Sequence, residues 1–161
     1  MEGWTDFFVA EVGASAALAG LLVVAVSINL ARIMTFPLLP GRAAQTLIII
    51  GGALMIASFA LFPAQPLPIF GWESVVIGIV VAGSGAVQFR SALKSREAGN
   101  PLTWTMIPLG MVALSALPEL VGGILLIAGG ETGLYWIATG IILSFVATLQ
   151  NGWVLMIEIL R

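Results

Sequence analysis

The chain has 161 residues, of which 60% are hydrophobic and only 9% are charged, and its mean hydropathy is +1.11. Soluble domains carry about 25% charged residues, so this composition indicates a protein that lies in a lipid bilayer. The chain contains no His and no Cys. Disulfides, thiol catalysis, iron–sulfur clusters and histidine-based metal or haem sites are therefore excluded.

The same inventory argues against several membrane activities. Lys94, the only lysine, lies in a polar segment and not in a helix that could carry retinal, and Asp6 is the only aspartate, so a pair of catalytic aspartates cannot form. A serine nucleophile would have no histidine or buried lysine as its base. The net charge of −2 gives no electrostatic footprint for nucleic acid. We predict no enzyme activity, no cofactor, no metal site and no nucleic-acid partner.

Five segments of the chain are long and apolar enough to cross a bilayer, which requires about 20 residues per helix. In chain order, these predicted spans are residues 7–30, 46–62, 72–89, 104–128 and 134–157. The links between them contain the prolines, glycines and polar residues typical of turns. We predict an all-α fold, an integral membrane bundle of five transmembrane helices that forms a single transmembrane domain over residues 1–161 without a soluble domain.

The basic residues predict the orientation of the bundle. All six follow spans one, three and five, which places them on one face of the membrane: Arg32, Arg42, Arg90, Lys94, Arg96 and Arg161. Because cytoplasmic loops are enriched in Lys and Arg, we predict an N-terminus outside and a C-terminus in the cytoplasm, in the cell (inner) membrane. Aromatic residues agree with this orientation, with Trp4, Trp72, Tyr135 and Trp136 at the outer interface and Trp104 and Trp153 at the inner one.

Span one has two faces that favour contact with protein. Small residues lie on one side and a more polar set lies opposite. Both faces should need a partner, so we predict that span one is central in the bundle or bridges to a neighbouring subunit. The small face comprises Gly13, Ala16, Ala17, Gly20, Ser27 and Ala31; the polar face comprises Glu11, Ser15, Leu18, Leu22 and Asn29.

Spans three and five share a spacing of ten residues between a glycine and a glutamine. The pairs are Gly78 with Gln88 and Gly140 with Gln150, and the two predicted helices run in the same direction. The corresponding glycine pairs of spans two and four fall at different depths, which does not fit a duplicated hairpin. We attribute the similarity to chance.

Two glutamates fall inside predicted spans, where an ionisable group is costly and usually marks a functional site. Glu11 and Glu119 should lie at similar depths near the outer face, and no basic residue lies at that depth. Ser15 and Ser115 lie one turn away on the same faces. We predict that these four residues bind a proton or a small cation. The alternative is that both carboxyls are protonated and only hold helices together, or that Glu11 reaches the outer water.

Polar side chains nearer the inner face could extend this site into a path. The candidates are Asn29, Gln88, Gln150 and Asn151. Joined to the carboxyls across the bundle, they would form a polar file through the membrane, as a proton or cation path requires. The alternative is that they are ordinary interhelical hydrogen bonds, each contributing about 0.6 kcal/mol.

Three functions fit these features. The first is a homo-oligomeric membrane protein that binds or conducts a proton or small cation. The second is a structural or regulatory subunit that packs against a larger membrane complex through its small-residue faces. The third is a protein that binds a lipophilic ligand in a crevice between helices. In each case the lipid bilayer is the surrounding medium.

Overall fold

The computed structural model describes residues 3–94 and 103–160 of the chain, and these residues form α-helices joined by short connections. Five of the described helices are long and apolar enough to cross a membrane, and the remaining one, α2, is a single turn. This result confirms the all-helical class and the number of spans. The helices are α1 (Thr5–Ile28), α2 (Leu30–Ile33), α3 (Leu39–Phe59), α4 (Leu67–Lys94), α5 (Thr103–Ile127) and α6 (Gly133–Leu160).

Two helices begin several residues earlier than the apolar segments predicted. α3 begins at Leu39 and not at residue 46, and α4 begins at Leu67 and not at residue 72. In both cases a proline, Pro40 or Pro68, is the second residue of the helix. Proline favours this position because its fixed φ suits the first turn, where its missing N–H is not needed. The apolar segments assign these prolines to the links, whereas they lie within the first turn of each helix.

The helices form a bundle in which neighbours in the chain run in opposite directions. α3 packs against α1, α4 and α6, and α5 packs between α4 and α6. The ring centroids of Trp4 and Tyr135 are 4.8 Å apart, and those of Phe8 and Phe70 are 6.0 Å apart. These contacts bring the first turns of α1, α4 and α6 to one end of the bundle. We refer to it as the Trp4 end and to the opposite end, which contains α2, as the Arg32 end.

Glycines allow α4 and α6 to approach the backbone of α5 from its two sides. A Cβ atom on Gly71 of α4 would lie 2.6 Å from the carbonyl oxygen of Gly123, and one on Gly122 of α5 would lie 2.7 Å from that of Gly133 in α6. The glycines on α4 and α6 that face α5 recur every seven residues, as Gly71, Gly78 and Gly85 on α4 and as Gly133 and Gly140 on α6. Gly78 and Gly140, the glycines of the spacing that we attributed to chance, therefore have the same packing role in both helices.

α1 lies at the edge of the bundle, so the prediction of a central span one was wrong. Ser15 and Leu22, on the polar face, are buried, and α1 packs mainly against α3. The small-residue face is exposed, and a Cβ atom on Gly13 or Gly20 would meet nothing within 4 Å. The bridging alternative remains a prediction, because this face is available to another chain.

Candidate functional site

The most deeply buried ionisable side chain among the described residues is that of Glu119, in the second half of α5. It is 0% exposed, and the hydroxyl of Ser144 on α6 donates to its Oε1 at 3.2 Å. Its second oxygen, Oε2, is also buried and has no hydrogen-bond partner in the described part of the chain. Buried carboxyl oxygens are normally hydrogen-bonded, so Oε2 has unused capacity to bind a proton, a water molecule or a cation.

The close approach of α5 and α6 creates this site. Gly140 of α6 lies directly against Glu119, since a Cβ atom there would be 2.6 Å from Glu119 Cγ and 3.0 Å from its backbone nitrogen. Ser144 lies one turn further along α6 and therefore on the same face as Gly140. Gly140 provides the space for the glutamate side chain, and Ser144 provides the donor.

Ser115 contributes to the wall of the site without binding the carboxyl. It is fully buried, and its hydroxyl donates to the carbonyl oxygen of Val112, one turn back in α5, at 3.0 Å. Its own carbonyl oxygen faces Gly140, at 3.2 Å from the Cβ position. The Ser115 hydroxyl is therefore committed to its own helix, as is common for serine in helices.

Glu11 does not pair with Glu119 across a packed interface. Glu11 is half-buried on α1, and α1 packs mainly on α3, whereas α5 packs between α4 and α6. The two carboxyls therefore lie on helices that are not packed neighbours, and their similar depth stays a prediction. Glu11 is nevertheless on the same face of α1 as Ser15, one turn away.

Ser15 lies close to the level of Ser144. It is 0% exposed, and its Oγ has no hydrogen-bond partner among the residues described. Leu22 of α1 is 3.3 Å from the Cβ position of Gly152 in α6. α1 and α6 run in the same direction. Ser15 precedes Leu22 by seven residues, so it lies at the level of the residue that precedes Gly152 by seven, which is residue 145. Ser15, Ser144 and Glu119 therefore form one polar level in the half of the bundle nearer the Trp4 end, and we call it the outer level.

The four inner candidates differ in their surroundings. Asn151 is buried, whereas Asn29, Gln88 and Gln150 are half-buried. Asn29 ends α1 and donates its amide to the carbonyl oxygen of Ala25 at 2.9 Å. The Gln88 carboxamide fills the space over Gly41 of α3, where a Cβ atom would overlap it. Asn151 is thus the only one of the four that the bundle encloses.

Two buried polar residues that were not among the candidates lie nearer the Arg32 end. Gln45 of α3 is 2% exposed and Thr148 of α6 is 0% exposed, and neither Gln45 Oε1 nor Thr148 Oγ1 has a hydrogen-bond partner in the described ranges. Gln45 was missed because span two was predicted to begin one residue later. Thr148 follows Ser144 by four residues and therefore lies on the same face of the helix. This spacing was the sequence signal that could have identified Thr148 as a candidate.

A narrow crevice lies between α1 and α6 near the Arg32 end. Its volume of about 20 Å³ suffices for roughly one water molecule. It is too small for the lipophilic ligand of the third hypothesis. The lining residues are Leu22, Ala25, Val26, Asn29, Ile33, Gly152 and Leu155.

Among the described residues, no three carboxyl side chains come together as a group that could hold a metal ion. Comparison of the chain with protein-family models, curated proteins and solved structures finds no match. The class of the protein is therefore given by its fold alone. It is a helical bundle in which five of the described helices are long and apolar enough to span a membrane.

Proposed function

We propose that this protein is a homo-oligomeric integral membrane protein that binds or conducts a proton or small cation at Glu119. One observation carries the proposal: Glu119 is fully buried, yet only one of its two carboxyl oxygens has a protein partner among the described residues. A carboxyl that served only to join helices would be expected to have both oxygens bonded, because an unpaired buried polar atom costs about 1–3 kcal/mol. We infer that this cost in stability is retained because Oε2 has to stay available to a ligand.

The surroundings of Glu119 favour a proton over a metal cation. Calcium and magnesium take about six or more oxygen ligands, whereas the side-chain oxygens that the structure brings together here are those of Glu119 and Ser144. A proton needs only one carboxyl oxygen, and the protonated group becomes a donor that can pass the proton to water. Glu11, one turn from Ser15 toward the Trp4 end, is the proposed entry carboxyl.

The distribution of charge supports insertion in the cell (inner) membrane with the Trp4 end outside. Arg32, Arg42, Arg90 and Lys94 all lie at the Arg32 end, and Asp6, Glu73 and Glu131 lie at the Trp4 end. Positive residues mark the cytoplasmic side. Trp72, Tyr135 and Trp136 are exposed near the Trp4 end, as an outer aromatic belt would require. Arg96, Arg161 and the side chain of Trp104 lie outside the described part of the chain.

The test is proton flux into liposomes that contain the purified protein. Glu119→Gln keeps the size and polarity of the side chain but cannot exchange a proton. We expect flux to fall about a hundredfold or more, as is common when a positioned proton-transfer group is lost. Glu131→Gln, in an exposed loop, is the matched control and should keep wild-type flux. Unchanged flux in Glu119→Gln would refute the role of Glu119 in proton transfer.

A second candidate function, a subunit that packs against another membrane chain, is favoured by the exposed small-residue face of α1. Gly13→Leu with Gly20→Leu should leave the isolated chain as stable as the wild type, because both positions face open space. The same variant should dissociate the complex in mild detergent, measured by native mass spectrometry. Gly83→Leu, at an equally open position on α4, is the control. An intact complex in the α1 variant would exclude this face as the interface.

A further inference from the structure

The contacts along α5 fix the depth of Gln45 relative to Glu119. A Cβ atom on Gly85 of α4 would lie 2.8 Å from Val112 of α5 and 3.5 Å from the amide nitrogen of Gln45. Gln45 therefore lies at the level of Val112. Val112 precedes Glu119 by seven residues, which corresponds to about 10 Å along the helix. Gln45 thus lies about 10 Å closer to the Arg32 end than Glu119 does.

Thr148, on α6, lies at the same level as Gln45. Gly140 of α6 is packed against Glu119, and α6 runs antiparallel to α5. Ala147 lies seven residues from Gly140 toward the Arg32 end, just as Val112 lies seven residues from Glu119 in that direction. Ala147 and its neighbour Thr148 are therefore at the level of Val112. α3 packs against both α4 and α6. Gln45 and Thr148 therefore form a second polar level, which we call the inner level.

The inner level has the same unusual feature as the outer one. Gln45 Oε1 and Thr148 Oγ1 are buried without a hydrogen-bond partner in the described residues, as are Glu119 Oε2 and Ser15 Oγ at the outer level. The hydroxyl of threonine or serine in a helix often donates to the carbonyl oxygen one turn back, and those of Thr46, Thr139 and Ser74 do so here. Thr148 keeps its hydroxyl free of such a bond. Buried polar groups of this kind are typically satisfied by internal water, which makes about three hydrogen bonds.

We propose that Gln45 and Thr148 bind internal water molecules that carry protons between Glu119 and the Arg32 end. This inference rests on the proposed function of Glu119. The separation of about 10 Å between the levels corresponds to about three to four hydrogen-bonded steps of ~2.8 Å, which is the distance that the proposed water molecules have to bridge. Gln45 and Thr148 replace the half-buried Gln88 and Gln150 as the inner part of the path.

The path can continue from the inner level to the crevice between α1 and α6. Asn151 is buried one turn beyond Thr148, and it precedes Gly152, which lines the crevice. The crevice has room for roughly one water molecule. Asn29, whose side chain is half-buried at the end of α1, is the polar residue of this crevice. Asn151 and Asn29 thus form the exit toward the Arg32 end.

The test combines two substitutions with two measurements on the full chain in lipid. Thr148→Val keeps the shape of the side chain and removes its hydroxyl, and Gln45→Leu removes the carboxamide. Each should lower proton flux about tenfold, the factor expected for one lost hydrogen-bond partner. Thr139→Val, on the exposed face of the same helix, is the matched control and should keep wild-type flux. Water itself is detected by magnetisation transfer from water to the Gln45 side-chain amide in solid-state NMR.

The two measurements separate this inference from the proposed function. Water transfer to Gln45 in the wild type, weakened in Thr148→Val together with flux, would support the inner level. If Gln45 shows no water contact and both variants conduct normally while Glu119→Gln does not, the inner level is refuted and the role of Glu119 stands. If Glu119→Gln conducts normally, the proposed function fails, and with it the role of the inner water, whether or not Gln45 contacts water.

Discussion

A double variant in which Glu119 becomes leucine and Ser144 becomes alanine is expected to be more stable than the wild type and to lose most of its proton flux. The wild type encloses an oxygen without a protein partner at Glu119 Oε2. Replacing both members of a buried hydrogen-bonded pair by apolar groups removes that cost of about 1–3 kcal/mol, so stability should rise by up to this amount. Flux should fall about a hundredfold or more because the proton-binding group is gone. Denaturation in mixed detergent micelles and liposome flux measure the two effects.

The single variant Ser144→Ala is the matched comparison for the double variant. It leaves the glutamate buried and removes the donor to Oε1, so it should destabilise the protein by about 1–3 kcal/mol. Opposite changes in the single and double variants would show that Glu119 is retained at a cost in stability, as functional residues often are. A double variant less stable than the wild type would instead identify Glu119 as a structural residue, and the proposal would be abandoned.

The number of long apolar helices could be predicted from the sequence because hydropathy is a local property of the chain that does not depend on which helices are in contact. The first residues of α3 and α4 could not be predicted, since a proline in a turn-rich segment fits either a link or the first turn of a helix. Pro40 and Pro68 lie in first turns, and only the packing of the residues before each apolar segment decides this. Gln45 was lost from the candidate residues for the same reason.

The candidate site was predictable only in part. Glu119 was found because a carboxyl in an apolar segment is unusual in itself. The roles of its partner Ser144 and of Gln45 could not be predicted, because they depend on which helices are in contact. Those contacts are set by glycines such as Gly140 and Gly85, where neighbouring helices approach closely. The expected pair of Glu11 and Glu119 rested on depth alone. Equal depth does not make two helices neighbours, and α1 packs on α3 instead.

Gly140→Ala is expected to damage both the fold and the site. The added Cβ would lie 2.6 Å from Glu119 Cγ and 3.0 Å from its backbone nitrogen, with the Ser115 carbonyl oxygen at 3.2 Å. Two of these atoms belong to the backbone of α5 and cannot rotate away, so α5 and α6 must separate. Overpacking of this kind costs about 1–3 kcal/mol, and the separation should break the bond from Ser144 and lower proton flux about tenfold.

Gly110→Ala is the matched control for this change, because it lies in α5 and its Cβ would meet nothing within 4 Å. Alanine there should stabilise the helix by about 0.5–1 kcal/mol and leave flux unchanged. Gly140→Ala with wild-type stability would show that α5 and α6 are not as closely packed as described. Since stability and flux should fall together in Gly140→Ala but move in opposite directions in the Glu119 and Ser144 double variant, the two experiments separate helix packing from proton binding at the same contact.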